Sequence, residues 1–261
     1  MCPNCRAFVT TSDKVCPYCD VRLGPPARTT MQTGQILGGL IPQVRFTTVM
    51  ILLINTALFV ADALSSQPLL QAAGASRPWA APMFGDSHQL WRLVTAGFLH
   101  GGILHILMNS WVLFDLGAEV EQLYGTSRLI VFYFFSTVTG FLLSSHMGMN
   151  ALGSSAGIFG LIGAMLAFGV TDKSSLGANV KALYTRWLIF ALVMSFIPGV
   201  DYFAHIGGVV GGFAAGYLAS TPRARLMWKE PLIRGLAIVS LALTAGAFAM
   251  MFKFIADVTH P

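Results

Sequence analysis

The sequence is short of charge. Of its 261 residues only 16 are Lys or Arg and 11 are Asp or Glu, 10% in all, while 55% are hydrophobic. A water-soluble globule of this size needs about a quarter of its residues charged to cover its surface, so a soluble domain is excluded. Cysteine is also scarce. The four present all fall within the first 19 residues, which leaves none to cross-link the rest of the chain. There is no basic tract with interleaved aromatics, so the net charge of +5 does not mark a nucleic-acid surface. No cleavable leader is expected, because the first apolar run begins only near Phe46. That run is expected to act as an uncleaved anchor.

Long apolar runs are what the chain has in quantity. A helix crossing ~30 Å of hydrocarbon needs about 20 apolar residues. Seven segments approach that length: 46–64, 102–123, 129–147, 154–170, 183–197, 202–220 and 235–252. The fold class expected is therefore an all-α polytopic membrane protein in contact with the lipid bilayer. The fifth segment is short, lying between Arg186 and Asp201, and Pro198-Gly199 ends it. Snorkelling of Arg186 to the interface would add a turn. With the N-terminus in the cytoplasm, all Lys and Arg lie on inner segments except Arg77, Arg92 and Lys253. This is the bias of the positive-inside rule. The expected topology places the N-terminus inside and the C-terminus outside, in a bacterial inner membrane.

The first 23 residues form a separate module, followed by a linker over 24–45 that carries Pro25-Pro26. Cys2-Pro3-Asn4-Cys5 and Cys16-Pro17-Tyr18-Cys19 are two CxxC knuckles. Each knuckle brings two thiolates to one metal from a tight turn, and two complete a tetrahedral four-sulfur site. The pattern resembles a short zinc ribbon; two disulfides, a redox pair or a rubredoxin-like iron site suit similar spacing. A reducing cytoplasm favours metal over disulfides. A structural zinc on Cys2, Cys5, Cys16 and Cys19 is the cofactor expected, and none is expected for catalysis. The module is also a candidate to recruit a cytoplasmic partner.

Polar groups inside spans are costly, so each is a candidate functional residue. The second segment carries His100, His105 and Asn109, the last two on one face at i and i+4. They are either helix–helix hydrogen bonders or part of a site. The fourth segment opens with Gly153-Ser154-Ser155-Ala156-Gly157, where a serine is either an N-cap or a nucleophile. The sixth carries His205 in a run with Gly207, Gly208, Gly211 and Gly212. All three segments enter from the outer side. Asn109, Ser155 and His205 then lie within about two turns of that surface, and the glycines allow two of the helices to approach. That convergence suits a serine peptidase. His205 would take the Ser155 proton, while Asn109, His105 and the Ser155 N–H would stabilise an oxyanion. Phe159, one turn below Ser155, would stack on the imidazole. Asp201 is expected to face the aqueous loop rather than orient His205.

At this point the chain resembles the rhomboid family of intramembrane serine proteases over most of 46–220. The resemblance rests on Trp91-Arg92, His100-x4-His105-x3-Asn109, Gly117-x3-Glu121-x3-Gly125, Gly153-x-Ser155 and Ala204-His205-x-Gly207-Gly208. It implies a six-helix core over 46–220; the cytoplasmic loop and seventh helix expected over 221–261, like the N-terminal module, are additions to that core. It implies Ser155 as nucleophile, His205 as base, and His105 and Asn109 in the oxyanion hole. Trp91-Arg92 would belong to a loop in the outer leaflet, and Glu121 would be structural on the cytoplasmic side. Substrates would be transmembrane segments of other proteins, cleaved near the outer face. One departure stands out: the family usually has Gly after the nucleophile, and here Ala156 precedes Gly157. The alternative is a catalytically silent rhomboid-like protein that binds transmembrane helices for trafficking or quality control.

Overall fold

A computed structural model describes residues 16, 18–19, 45–65, 68–78, 89–219 and 229–259. The chain divides into two compact units, Met1–Gln43 and Val44–Pro261. In the first, Cys16 is buried and Tyr18 and Cys19 lie in a turn. Cys2 and Cys5, and the expected linker up to residue 44, lie outside the described residues.

Among its described residues the second unit is helical apart from one isolated bridge between Ser76 and Ala151. Its helices are α1 (Phe46–Leu64), α2 (Leu69–Gly74), α3 (Arg92–Thr95), α4 (Ile103–Tyr124), α5 (Thr126–His146), α6 (Ser155–Thr171), α7 (Ser175–Met194), α8 (Tyr202–Ala219) and α9 (Glu230–Thr259). A helix satisfies its own backbone polar groups, which is what an apolar chain in lipid requires. Five helices, α1, α4, α5, α8 and α9, are long and apolar enough to cross a membrane. Helix α6 is apolar but has only 17 residues. It is buried on nearly every side by protein, from Ala156 to Gly169, so it need not match the length of lipid chains.

Helix α7 differs from the expected segment 183–197. It starts eight residues earlier, where Ser174 accepts a hydrogen bond from the Gly177 N–H, and it carries Lys181 and Arg186 within its length. Apolarity marks where a helix meets lipid, whereas caps and backbone bonding decide where it begins. It ends at Met194, ahead of Pro198 and of Gly199 at φ 90°. Helix α9 likewise exceeds the expected 235–252 at both ends.

Helix α8 is wedged between α5 and α6 by glycines. A Cβ at Gly208 would overlap the Ala156 carbonyl, one at Gly212 the Gly160 carbonyl, and one at Gly207 would lie 2.6 Å from the Thr139 carbonyl oxygen. Backbones touch directly along these seams. Glu121, at the end of α4, accepts the N–H groups of Thr47 and Thr48 at 3.0 and 3.2 Å and the Thr126 hydroxyl at 3.0 Å. One carboxylate thereby caps α1 and ties it to the α4–α5 junction. Helix α9 packs on the other side of α5: Arg128 donates to both oxygens of Glu230, and Met251 is fully buried.

Candidate active site

Ser155 is the first residue of α6, and His205 lies one turn into α8. The start of α8 is set by Asp201, whose Oδ1 accepts the Phe203 and Ala204 N–H groups at 3.0 and 3.2 Å. Its other oxygen accepts the Ser144 hydroxyl of α5. Asp201 is therefore half-buried, with its carboxylate engaged by α8 and α5. An acid at a helix start has free backbone donors to satisfy, and Ser144 is within reach because α5 and α8 touch. It makes no side-chain hydrogen bond to the imidazole.

This docking leaves His205 Nε2 at 2.9 Å from Ser155 Oγ. The imidazole lies flat on Phe159, with ring centroids 3.9 Å apart and planes 9° from parallel. Its Nδ1 is 2.6 Å from the hydroxyl of Ser195, just beyond α7. Ser195 was missed in the sequence. The available signal was a hydroxyl in the apolar run Met194-Ser195-Phe196, ten residues before His205, but nothing local shows that the turn between them brings the two side chains together.

The adjacent serines have different partners. Ser154 is fully buried, with Oγ 3.2 Å from His100 Nε2, while Ser155 is half-buried and faces His205. His100 in turn meets the His105 ring edge-on at 5.1 Å. Gly153 sits between His105 and Ser155 with φ 130°. A Cβ there would lie 2.6 Å from His105 Nε2 and 3.7 Å from Ser155 Oγ, so both backbone angle and space call for glycine. Asn109 is buried one turn below His105 and donates to the His105 carbonyl at 3.0 Å. An amide has a second N–H, which that bond does not use.

The methyl of Ala156 is accounted for by the packing. It belongs to a small cluster with Leu93, Ala96, Phe141 and Ala204, and it occupies the space beside Gly140, where a second Cβ would come within 2.8 Å. The side chain points into the α5 seam.

Trp91 and Arg92 are not at the dyad. Trp91 donates to the Ala73 carbonyl at 3.2 Å, and Arg92 donates to those of Ala72 and Ala75 at 2.9 and 3.0 Å and to Gln89 Oε1 at 2.6 Å. Both rest against Phe254 of α9. They clamp α2 to α3, so any effect on the dyad is indirect. Among the described residues no cluster of His, Cys, Asp and Glu has the grouping to hold a metal.

Residues 87–222, just over half of the chain, match the family model described as the Rhomboid domain. Rhomboid-like protease 3 of Toxoplasma gondii is 38% identical over 140 residues, covering 51% of this chain and 53% of that protein. Rhomboid protease GluP of Bacillus subtilis (strain 168) is 31% identical over 157 residues, covering 58% of this chain and 30% of that protein. Inactive RHOMBOID-like protein 8 of Arabidopsis thaliana is 32% identical over 162 residues, 58% and 46% of the two chains. The chain thus spans about half or less of the length of these relatives. Their sources are too varied to single out a bacterial inner membrane. With five apolar helices long enough to span, this is an integral membrane protein, and by the extent of the domain match it belongs to the rhomboid family.

Proposed function

We propose that the protein is an intramembrane serine endopeptidase that cleaves transmembrane segments near the outer face of the bilayer. The observation that carries this reading is the 2.9 Å contact between Ser155 Oγ and His205 Nε2, held by an imidazole stacked on Phe159. As Ser155 Oγ attacks the scissile carbonyl carbon, its proton passes to Nε2. The carbonyl oxygen becomes an oxyanion, stabilised by the Ser155 N–H and by the His105 and Asn109 side chains. Collapse breaks the C–N bond, and the imidazolium returns its proton to the departing amine. Water then hydrolyses the acyl-enzyme by the same relay. Glycine at 153 keeps the floor between His105 and Ser155 open.

A second reading has some support in the relative named as inactive: a silent protein that binds transmembrane helices. The two are separated by incubating the purified full chain with a fluorophosphonate and locating the adduct by mass spectrometry. Adduct on Ser155, with cleavage of a membrane-embedded helix that Ser155→Ala abolishes, supports the peptidase. No adduct and no cleavage favours the silent reading, and an adduct on Ser154 sinks the assignment of the nucleophile.

The proposal extends to topology: seven spans (α1, α4, α5, α6, α7, α8 and α9), with the N-terminus cytoplasmic, the C-terminus outside and the dyad opening outward, as in a bacterial inner membrane. Reporters fused at Ala27 and after Pro261 should then report opposite sides. The four N-terminal cysteines would hold one structural zinc. Cys16 and Cys19, with the turn between them, suit one knuckle of such a site; zinc content unchanged in Cys16→Ser with Cys19→Ser would remove the idea. A cytoplasmic partner for the module is proposed on the same footing.

A further inference from the structure

Phe159 fixes the plane of the His205 ring but not its rotation within that plane. Rotation is set by the two ring nitrogens, and Nδ1 is held by Ser195, which is 2% exposed. The Ser195 hydroxyl also lies 2.8 Å from the Ala191 carbonyl oxygen. A hydroxyl has one proton and two lone pairs. The carbonyl can only accept, so the hydroxyl donates its hydrogen bond there, and a Ser195 lone pair is left facing Nδ1. Nδ1 must then carry N–H, which leaves the lone pair of the ring on Nε2, directed at Ser155. The opposite arrangement would break the Ala191 bond and aim Nε2–H at the hydroxyl whose proton has to be removed.

We propose that Ser195 is a positioning residue, which holds His205 in the Nδ1–H tautomer and accepts a hydrogen bond from the imidazolium formed when Ser155 gives up its proton. The proposal rests on the peptidase reading above. Ser195 stands where a Ser-His-Asp triad has its carboxylate, and it does so without placing a net charge in an apolar site. Asp201, the acid next to α8, is committed to the Phe203 and Ala204 N–H groups and to Ser144. His205 is 6% exposed, so bulk water is poorly placed to replace the Ser195 hydroxyl.

The test uses the full chain in liposomes and the near-isosteric pair Ser195→Thr and Ser195→Val. Ser195→Thr keeps the hydroxyl and should retain most of the activity. Ser195→Val should lower kcat about 10–100-fold at unchanged KM, the range for losing one hydrogen bond to a charged group. Nitrogen-15 NMR of histidine-labelled protein, with the His205 signals assigned by their loss in His205→Gln, should show N–H on Nδ1 in the unsubstituted chain. A mixture of tautomers is expected in Ser195→Val. Equal kcat in the two variants, or a resting proton on Nε2 in the unsubstituted chain, overturns the proposal. The NMR signature is read without turnover. Failure of the peptidase reading would show instead as an unsubstituted chain that neither cleaves nor takes a fluorophosphonate on Ser155.

Discussion

One helix carries the imidazole of His205 and another ends beside it, and the two are held differently. Helix α8 supplies His205 and is packed backbone to backbone, with Gly208 and Gly212 against α6 and Gly207 against α5. Helix α7 ends next to Ser195, yet only Gly177 and Tyr184 along it are buried, while Trp187, Ile189, Phe190 and Val193 are exposed. Its close contacts lie ahead of its last turn: Gly169 meets the Lys181 backbone, Val180, Tyr184 and Leu188 pack on the core, and Tyr184 bonds Glu119 of α4; at its far end Ser195 bonds His205. Close backbone packing tolerates no added volume and fixes Ser155 relative to His205. The last turns of α7, with no buried side chain after Tyr184, belong to the less stable part of the fold. The dyad is therefore rigid on one side and adjustable on the other.

The contrast can be broken most severely at the tight seam. Gly212→Leu should prevent α8 from seating on Gly160, giving no cooperative thermal transition and no Ser155 labelling. The volume change in Phe190→Ala on α7 should shift stability by no more than ~0.5 kcal/mol. Equal tolerance at both sites would refute the comparison. Next come the dyad residues: Ser155→Ala should abolish cleavage with the melting temperature retained, and His205→Ala should abolish it with a lowered melting temperature, because it empties the space beside Phe159. Combining them should cost little more in rate because the pair acts as a unit. Ser154→Ala should keep most activity, since its hydroxyl serves His100. Asn109→Ala should lower kcat ~10²–10³-fold, the usual loss for one oxyanion donor. A modest effect sharpens the α7 side: Tyr184→Phe removes only the Glu119 bond and should cost about 1 kcal/mol of stability in a denaturation series.

Much of this was legible in the residues. The apolar runs located α1, α4, α5, α6 and α8 to within about three residues, and the middle of α9, because a helix in lipid must be apolar along the length it exposes. Glycines at spacing four in 204–216 indicated a close helix neighbour. The cap at Ser174, the length of α7 and the partner of Asp201 were not legible in this way. Each depends on a hydrogen bond whose second member is chosen by folding. The same holds for Ala156: its extra methyl reads as a disturbance next to Ser155, until Gly140 on another helix is seen to leave room for it.

By itself the sequence determined that the chain must be helical, where most of its apolar helices run, and which side chains can carry proton transfer at all. Those properties follow from composition and from 3.6-residue periodicity, which are local. The sequence already pointed to Ser155 as the partner of His205; only the tertiary structure decided that His100 takes Ser154 and that Ser195 closes the far side of the ring. These pairings join residues ten to more than fifty positions apart. Their geometry is set by how closely α5, α6 and α8 can approach, and no single helix carries that information.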